Sequence, residues 1–150
     1  GAWMNFADLD WANKAYVLEY DIDLSGLDEG AFVAFDSGET KSWQDLHLGF
    51  KKDANGITAY NTLFTNSLND TKKLGSIGNK VHAVYTYSVN ASNALEMKLV
   101  ISDGANTYTV AKTVNGFDTS ASLCWDVYTT DGGNGIYAKL DNFVFKSIEK

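Results

Sequence analysis

An all-β, antiparallel two-sheet sandwich of jelly-roll type is the fold class this sequence predicts. Three observations carry it. Short segments alternate apolar and polar residues with period two. Gly, Asn, Asp and Ser cluster between those segments and supply turns. No segment shows a long apolar stripe of helical period, and strands without crossover helices pair antiparallel.

The strands follow in order. AYVLEYDIDL at 15–24 puts Tyr16, Leu18, Tyr20, Ile22 and Leu24 on one face and Val17, Glu19, Asp21 and Asp23 on the other, so the first set is predicted core. AFVAF at 31–35, DLHLGFK at 45–51 and ITAYNTLF at 57–64 follow, with Leu46, Leu48 and Phe50 opposed by His47 and Lys51. KVHAVYTYSV at 80–89, ALEMKLVIS at 94–102, NTYTVAKTV at 106–114, SLCWDVYT at 122–129 and IYAKLDNFVFKSI at 136–148 complete nine predicted strands. Asn55-Gly56 and Asp103-Gly104 mark the clearest hairpins. Asn5 to Asn13 and Asn61 to Lys73 are each expected to hold a turn or two of helix.

A chain of 150 residues fits one domain. No linker, repeat or low-complexity tract divides it, so residues 1–150 are read as a single sandwich, expected to be excised from a larger multimodular protein. The apolar runs fall well short of the roughly 20 residues of a membrane helix.

Twelve Lys, no Arg and nineteen carboxylates give a net charge of −7. That charge works against nucleic acid and anionic lipid, so neither nucleic acid nor membrane is an expected partner. Cys124 is the single cysteine and is expected to be a small buried hydrophobe. His47 and His82 lack neighbours at zinc-ligand spacing.

The aromatic content is high, with four Trp, eight Tyr and eight Phe. Most have core parity, and Tyr85 and Tyr87 are expected inside. Trp3 and Trp11 precede the first strong strand and are expected to plug an end of the sandwich. Trp43 is different, because SGETKSWQDLH offers it no apolar neighbour closer than Leu46. An exposed aromatic face stacks on the C–H side of a pyranose while amides and carboxylates bind the hydroxyls. The candidate ligand-binding set is therefore Trp43 with Gln44, Asp45 and His47 beside it, Tyr60 and Asn61 one hairpin on, and Trp125, Asp126, Tyr128, Asp131 and Asn134 on or beside TTDGGNG. Parity places Trp125 with Leu123 and Val127, which also allows a core role.

Glu19, Asp21 and Asp23 share one face of a strand, with neighbours about 6.7 Å apart. This E-x-D-x-D run resembles the E-x-D-x-E motif of laminarinase-type concanavalin-like endoglucanases, with Glu19 at the nucleophile position and Asp21 at the middle aspartate. Asp23 departs from the acid–base glutamate, and no Trp flanks the run. No catalytic residue is therefore assigned, and the row is expected to be a solvated acidic face. Asp141 in LDNFVF is the candidate ligand for a structural calcium, with Asp8 or Asp10 as possible partners. No other cofactor is expected.

YVLEYDIDL, VHAVYTYSVNASNALEMKLVISDG and GIYAKLDNFVF together resemble concanavalin or laminin-G-like jelly rolls. Such domains recur as carbohydrate-binding modules on bacterial glycoside hydrolases. The resemblance implies a non-catalytic module that holds a parent enzyme or cell-surface protein in cis on a polysaccharide, of starch or plant β-glucan type. An extracellular or cell-surface location goes with it. A structural or adhesin-type sandwich and a truncated glycosidase relative are the alternatives.

Overall fold

The computed structural model describes residues 2–62, 73–129 and 137–150. Eleven strands run in chain order: β1 (Ala2–Phe6), β2 (Lys14–Asp23), β3 (Phe32–Glu39), β4 (Asp45–Asp53), β5 (Gly56–Tyr60), β6 (Lys73–Ile77), β7 (Lys80–Val89), β8 (Leu95–Ser102), β9 (Thr107–Val114), β10 (Leu123–Thr129) and β11 (Lys139–Glu149). They form a six-stranded sheet of order β1-β10-β3-β4-β5-β6 and a five-stranded sheet of order β11-β2-β7-β8-β9. Every pairing is antiparallel. The predicted sandwich is thus the observed fold.

Two of the strands were not foreseen. Asn5 and Phe6, expected to begin a helical turn, close β1, and Lys73 opens β6 rather than ending a helix. Both are short edge strands, and five residues hold too few alternations to signal themselves. Among the described residues there is no helix, and so none long and apolar enough to cross a membrane. The hairpin expected at Asp103-Gly104 joins β8 to β9, with the Asp103 carboxylate accepting from the Ala105 and Asn106 amides at 2.8 and 2.6 Å.

Period-two alternation sorts the core as the sequence predicts. Tyr16, Leu18, Tyr20, Ile22 and Leu24 are all buried, and Tyr20 packs on Phe35 and Trp125 of the other sheet. Burying a Leu, Ile or Phe contributes roughly 1.5–3 kcal/mol, and this core holds many. Its polar tips are paired. The Trp125 Nε1–H donates to Tyr20 Oη at 3.0 Å, and the Tyr20 and Tyr85 hydroxyls meet at 2.8 Å. Tyr87 bonds Ser37, whose hydroxyl donates to the Cys124 carbonyl at 2.7 Å. Buried hydroxyls left unpaired would each cost about 1–3 kcal/mol. Trp11 plugs one end as expected, edge-on to Tyr16 and Phe117.

Candidate functional site

Each sheet has an outward face, and the two differ in how their polar residues are matched. On the six-stranded sheet the core takes Val33, Phe35, Leu46, Leu48, Leu123 and Trp125. The residues between them therefore point outward. Register then sets one row across four strands: Trp3 opposite Asp126, Asp126 opposite Asp36, and Asp36 opposite His47. A second row runs Tyr128, Ala34, Gly49, Tyr60. A third runs Asn5, Cys124, Gly38, Asp45.

The middle of this face is made of small residues or buried ones. A Cβ at Gly38 would fall 2.1 Å from both Asp45 Oδ1 and the Gln44 carbonyl, and one at Gly49 would fall 2.6 Å from the Phe32 ring. Neither position has room for a side chain. Asp36 is only 5% exposed and Asp126 8%. Two carboxylates directly opposed in a sheet repel each other, so this arrangement works against stability.

Their environment shows that strain. The His47 ring Nδ1 meets Asp36 Oδ1 at 2.7 Å, and the Tyr128 hydroxyl donates to Asp126 Oδ2 at 3.1 Å. Burial, reinforced by the charge of Asp36, holds the Asp126 carboxyl above its usual range despite the bond from Tyr128. Asp45 is affected more strongly. Burial and then the Asp36 charge push it up to about 7, with Asp126 adding to the effect and His47 and Lys112 opposing it. Burial raises the Cys124 thiol to about 12, so this cysteine is the inert buried residue expected from sequence.

One end of the face carries two exposed indoles. Trp3 is 50% and Trp43 58% exposed, and their ring centroids lie 6.2 Å apart at 42°. Trp43 sits in the β3–β4 turn with φ of +56°, a conformation that bulky residues avoid. Glu39, fully buried, holds that turn. Its carboxylate accepts from the Lys41 amide at 2.8 Å, the Ser42 amide at 3.1 Å and the Gln44 amide at 3.2 Å, and from the Ser42 hydroxyl. Burial opposes its charge, but these donors prevail and keep the carboxyl below its usual value.

The structure sorts the predicted residues. Trp43, His47, Asp126 and Tyr128 belong to this face, with Tyr60 on its flank beside Gly49. Asn61 joins Asp45, His47 and Lys112 around a small cavity of about 150 Å³. Gln44 closes the turn, its carbonyl accepting from the Glu39 amide at 3.1 Å and its side chain directed to the Ser42 carbonyl. Trp125 is corrected from ligand contact to core: it is 2% exposed, and its inward parity packs it edge-on to Tyr20 and Phe143 and tilted against Phe35. Asp131 and Asn134 lie outside the described residues. Trp3, expected to plug an end, instead lies outward against Trp43.

The outward face of the five-stranded sheet carries the E-x-D-x-D row. Each of its three acids has a His or Lys partner. His82 sits between Asp21, at 2.6 Å from Nδ1, and Glu19, at 3.2 Å from Nε2. Lys146 lies 3.4 Å from Glu19, and Lys80 pairs with Asp23. The row is an ion-pair lattice. Asp141 pairs in register with Asp21 across β11 and β2, not with Asp8 or Asp10. The strand bulges just beyond it, which lets Asn142 donate to Asp21 at 2.7 Å. Among the described residues no three His, Cys, Asp or Glu side chains are grouped to hold a metal ion.

A cavity of about 850 Å³ opens at the end of this second sheet between Asp21, Asp23, Lys80, Asp103 and Asp141. Asp21 and Asp23 are engaged in the ion pairs just described, Asp141 accepts from the Asn142 amide at 2.8 Å, and Asp103 caps the Gly78 amide at 2.7 Å. Size alone therefore does not make it the better site.

No family model and no curated protein matches the chain. Among solved structures, it is similar to a bifunctional GH43-CE protein of Bacteroides eggerthii, 18% identical over 91% of this chain with a TM-score of 0.57. The match spans only 18% of that protein. It is also similar to an alginate lyase variant in complex with alginate trisaccharide, 16% identical over 97% of this chain and 75% of that one, with a TM-score of 0.59. At these identities the likeness establishes the sandwich fold, one that carbohydrate-related proteins share, and assigns no family.

Proposed function

We propose that this chain is a non-catalytic carbohydrate-binding module that docks a pyranose polymer on the outward face of its six-stranded sheet. One observation carries the proposal: two exposed indoles sit together at the end of a row in which two largely buried carboxylates, Asp126 and Asp36, face each other with His47 beside Asp36. Trp3 and Trp43 offer the stacking surface. His47, Asp36, Asp126 and Tyr128 offer donors and acceptors that would fix a sugar's hydroxyls. Each aromatic contact is worth about 0.5–1.5 kcal/mol beyond area burial. A hydrogen bond to a charged group adds roughly 1.5–3 kcal/mol.

The fold likeness to carbohydrate-related proteins supports the reading, as does the chain's match to a small part of a much longer one. Within such a protein the module would tether an exported parent enzyme or cell-surface protein to its polysaccharide. Affinity electrophoresis through gels containing starch or plant β-glucan tests the proposal. Retardation that disappears in Trp43→Ala and weakens in Trp3→Ala is the expected result. Equal mobility in every gel contradicts it and favours a protein-interaction sandwich.

A further inference from the structure

The polar floor of this face is short of positive charge. Asp126 and Asp36 oppose each other across β10 and β3, and Asp45 lies one outward position from His47 on β4. Asp36 has the His47 ring. Among the described residues Asp126 has the neutral Tyr128 hydroxyl, and Asp45 has the Cys124 thiol at 4.0 Å with Lys112 across the small cavity beside it, so three acids share His47 and Lys112. On the other sheet Glu19, Asp21 and Asp23 each reach a His or Lys, and Asn142 donates to both members of the opposed pair Asp141 and Asp21.

We infer that the glycan bound here bears free amino groups, as a polymer of glucosamine does, with an ammonium against Asp45 and Asp126 and its pyranose ring on Trp3 and Trp43. This deepens the carbohydrate reading and rests on it. A sugar hydroxyl can donate to these carboxylates but leaves their repulsion in place. An ammonium both donates and neutralises. The electron-rich faces of the two indoles attract the same cation. A uronate would add a further negative charge beside three carboxylates, and the chain has no arginine with which to receive it. Burial first, and then the Asp36 charge, raise the Asp45 carboxyl to about 7, and a bound ammonium would oppose both.

Titration calorimetry at about pH 6, where the amines are charged and Asp45 releases its proton as the ammonium binds, tests this with four probes: glucosamine hexamer, cellohexaose, an alginate hexamer and hexalysine. The expected result is glucosamine hexamer binding at least about tenfold more tightly than cellohexaose, with alginate hexamer and hexalysine silent. Asp45→Asn combined with Asp126→Asn should bring the amino sugar down to the cellohexaose level while the protein keeps its fold and melting temperature or gains in the latter. Equal affinity for the amino and neutral sugars overturns the inference and leaves the carbohydrate reading standing. Binding of the alginate hexamer, or of hexalysine as tightly as the amino sugar, also overturns it. If neither sugar binds and Trp43→Ala behaves as wild type, the carbohydrate reading falls as well.

Discussion

The two outward faces of the sandwich each set a pair of aspartates opposite one another, Asp21 with Asp141 and Asp36 with Asp126, and differ in what surrounds the pair. On the five-stranded sheet, Glu19, Asp21 and Asp23 look across at His82, Lys80 and Lys146 and are matched. On the six-stranded sheet, Asp36 and Asp126 look at each other, Asp45 stands close by, and two tryptophans are left in solvent. A matched row explains itself as a solvated surface. Repulsion that the fold maintains, beside apolar surface that it leaves exposed, is the pattern on which the proposed glycan site rests.

The largest effect that would break this comparison is on binding. Trp43→Ala should lower glycan affinity by about two orders of magnitude, measured by affinity electrophoresis, with melting unchanged or raised because a strained φ is easier for a small residue. Glu19→Gln on the other face should leave affinity untouched. Next comes the pH dependence of stability. Asp45 titrates near 7 in the folded protein and at its ordinary lower value when unfolded, so between about pH 4 and 7 the folded state holds more protons. Stability from this group therefore falls as pH rises through that window. Asp45→Asn should remove the fall, and its advantage over wild type should grow to on the order of 2 kcal/mol by pH 7, read from urea unfolding at several pH values.

Smaller effects sharpen the same contrast. Asp126→Asn removes a like charge facing Asp36 and should stabilise by about 0.5–1 kcal/mol while weakening ligand binding. Glu19→Gln breaks the matched lattice and should destabilise, by under about 1 kcal/mol, since those pairs are partly solvated. One face thus gains stability from losing an acid and the other loses it.

The fold was legible because its signals are local. Alternation in β2, β4, β7 and β8 places Tyr20, Leu48, Tyr85 and Leu99 inward without reference to any other strand. Trp43 was legible for the same reason, being an indole surrounded by polar neighbours. The rest of the site depends on register. Asp36 follows AFVAF, and nothing in that run says that it will face Asp126, about ninety residues away, and His47 at once. Trp3 lay in a terminal segment too short to declare a strand, so its place beside Trp43 emerges only when β1 pairs with β10. Trp125 and Trp43 are the same residue type, and it is inward parity on β10 that separates core from site.

The four indole N–H groups give the most direct test of the central claim, because each reports a different place. In a ¹H–¹⁵N titration with the bound glycan, the Trp3 and Trp43 resonances should shift together, while Trp11, bonded to the Ala121 carbonyl, and Trp125, bonded to Tyr20, should stay fixed. Shifts confined to β2, β7 and the His82 ring, with Trp3 and Trp43 unmoved, would place the ligand on the matched face and contradict the account.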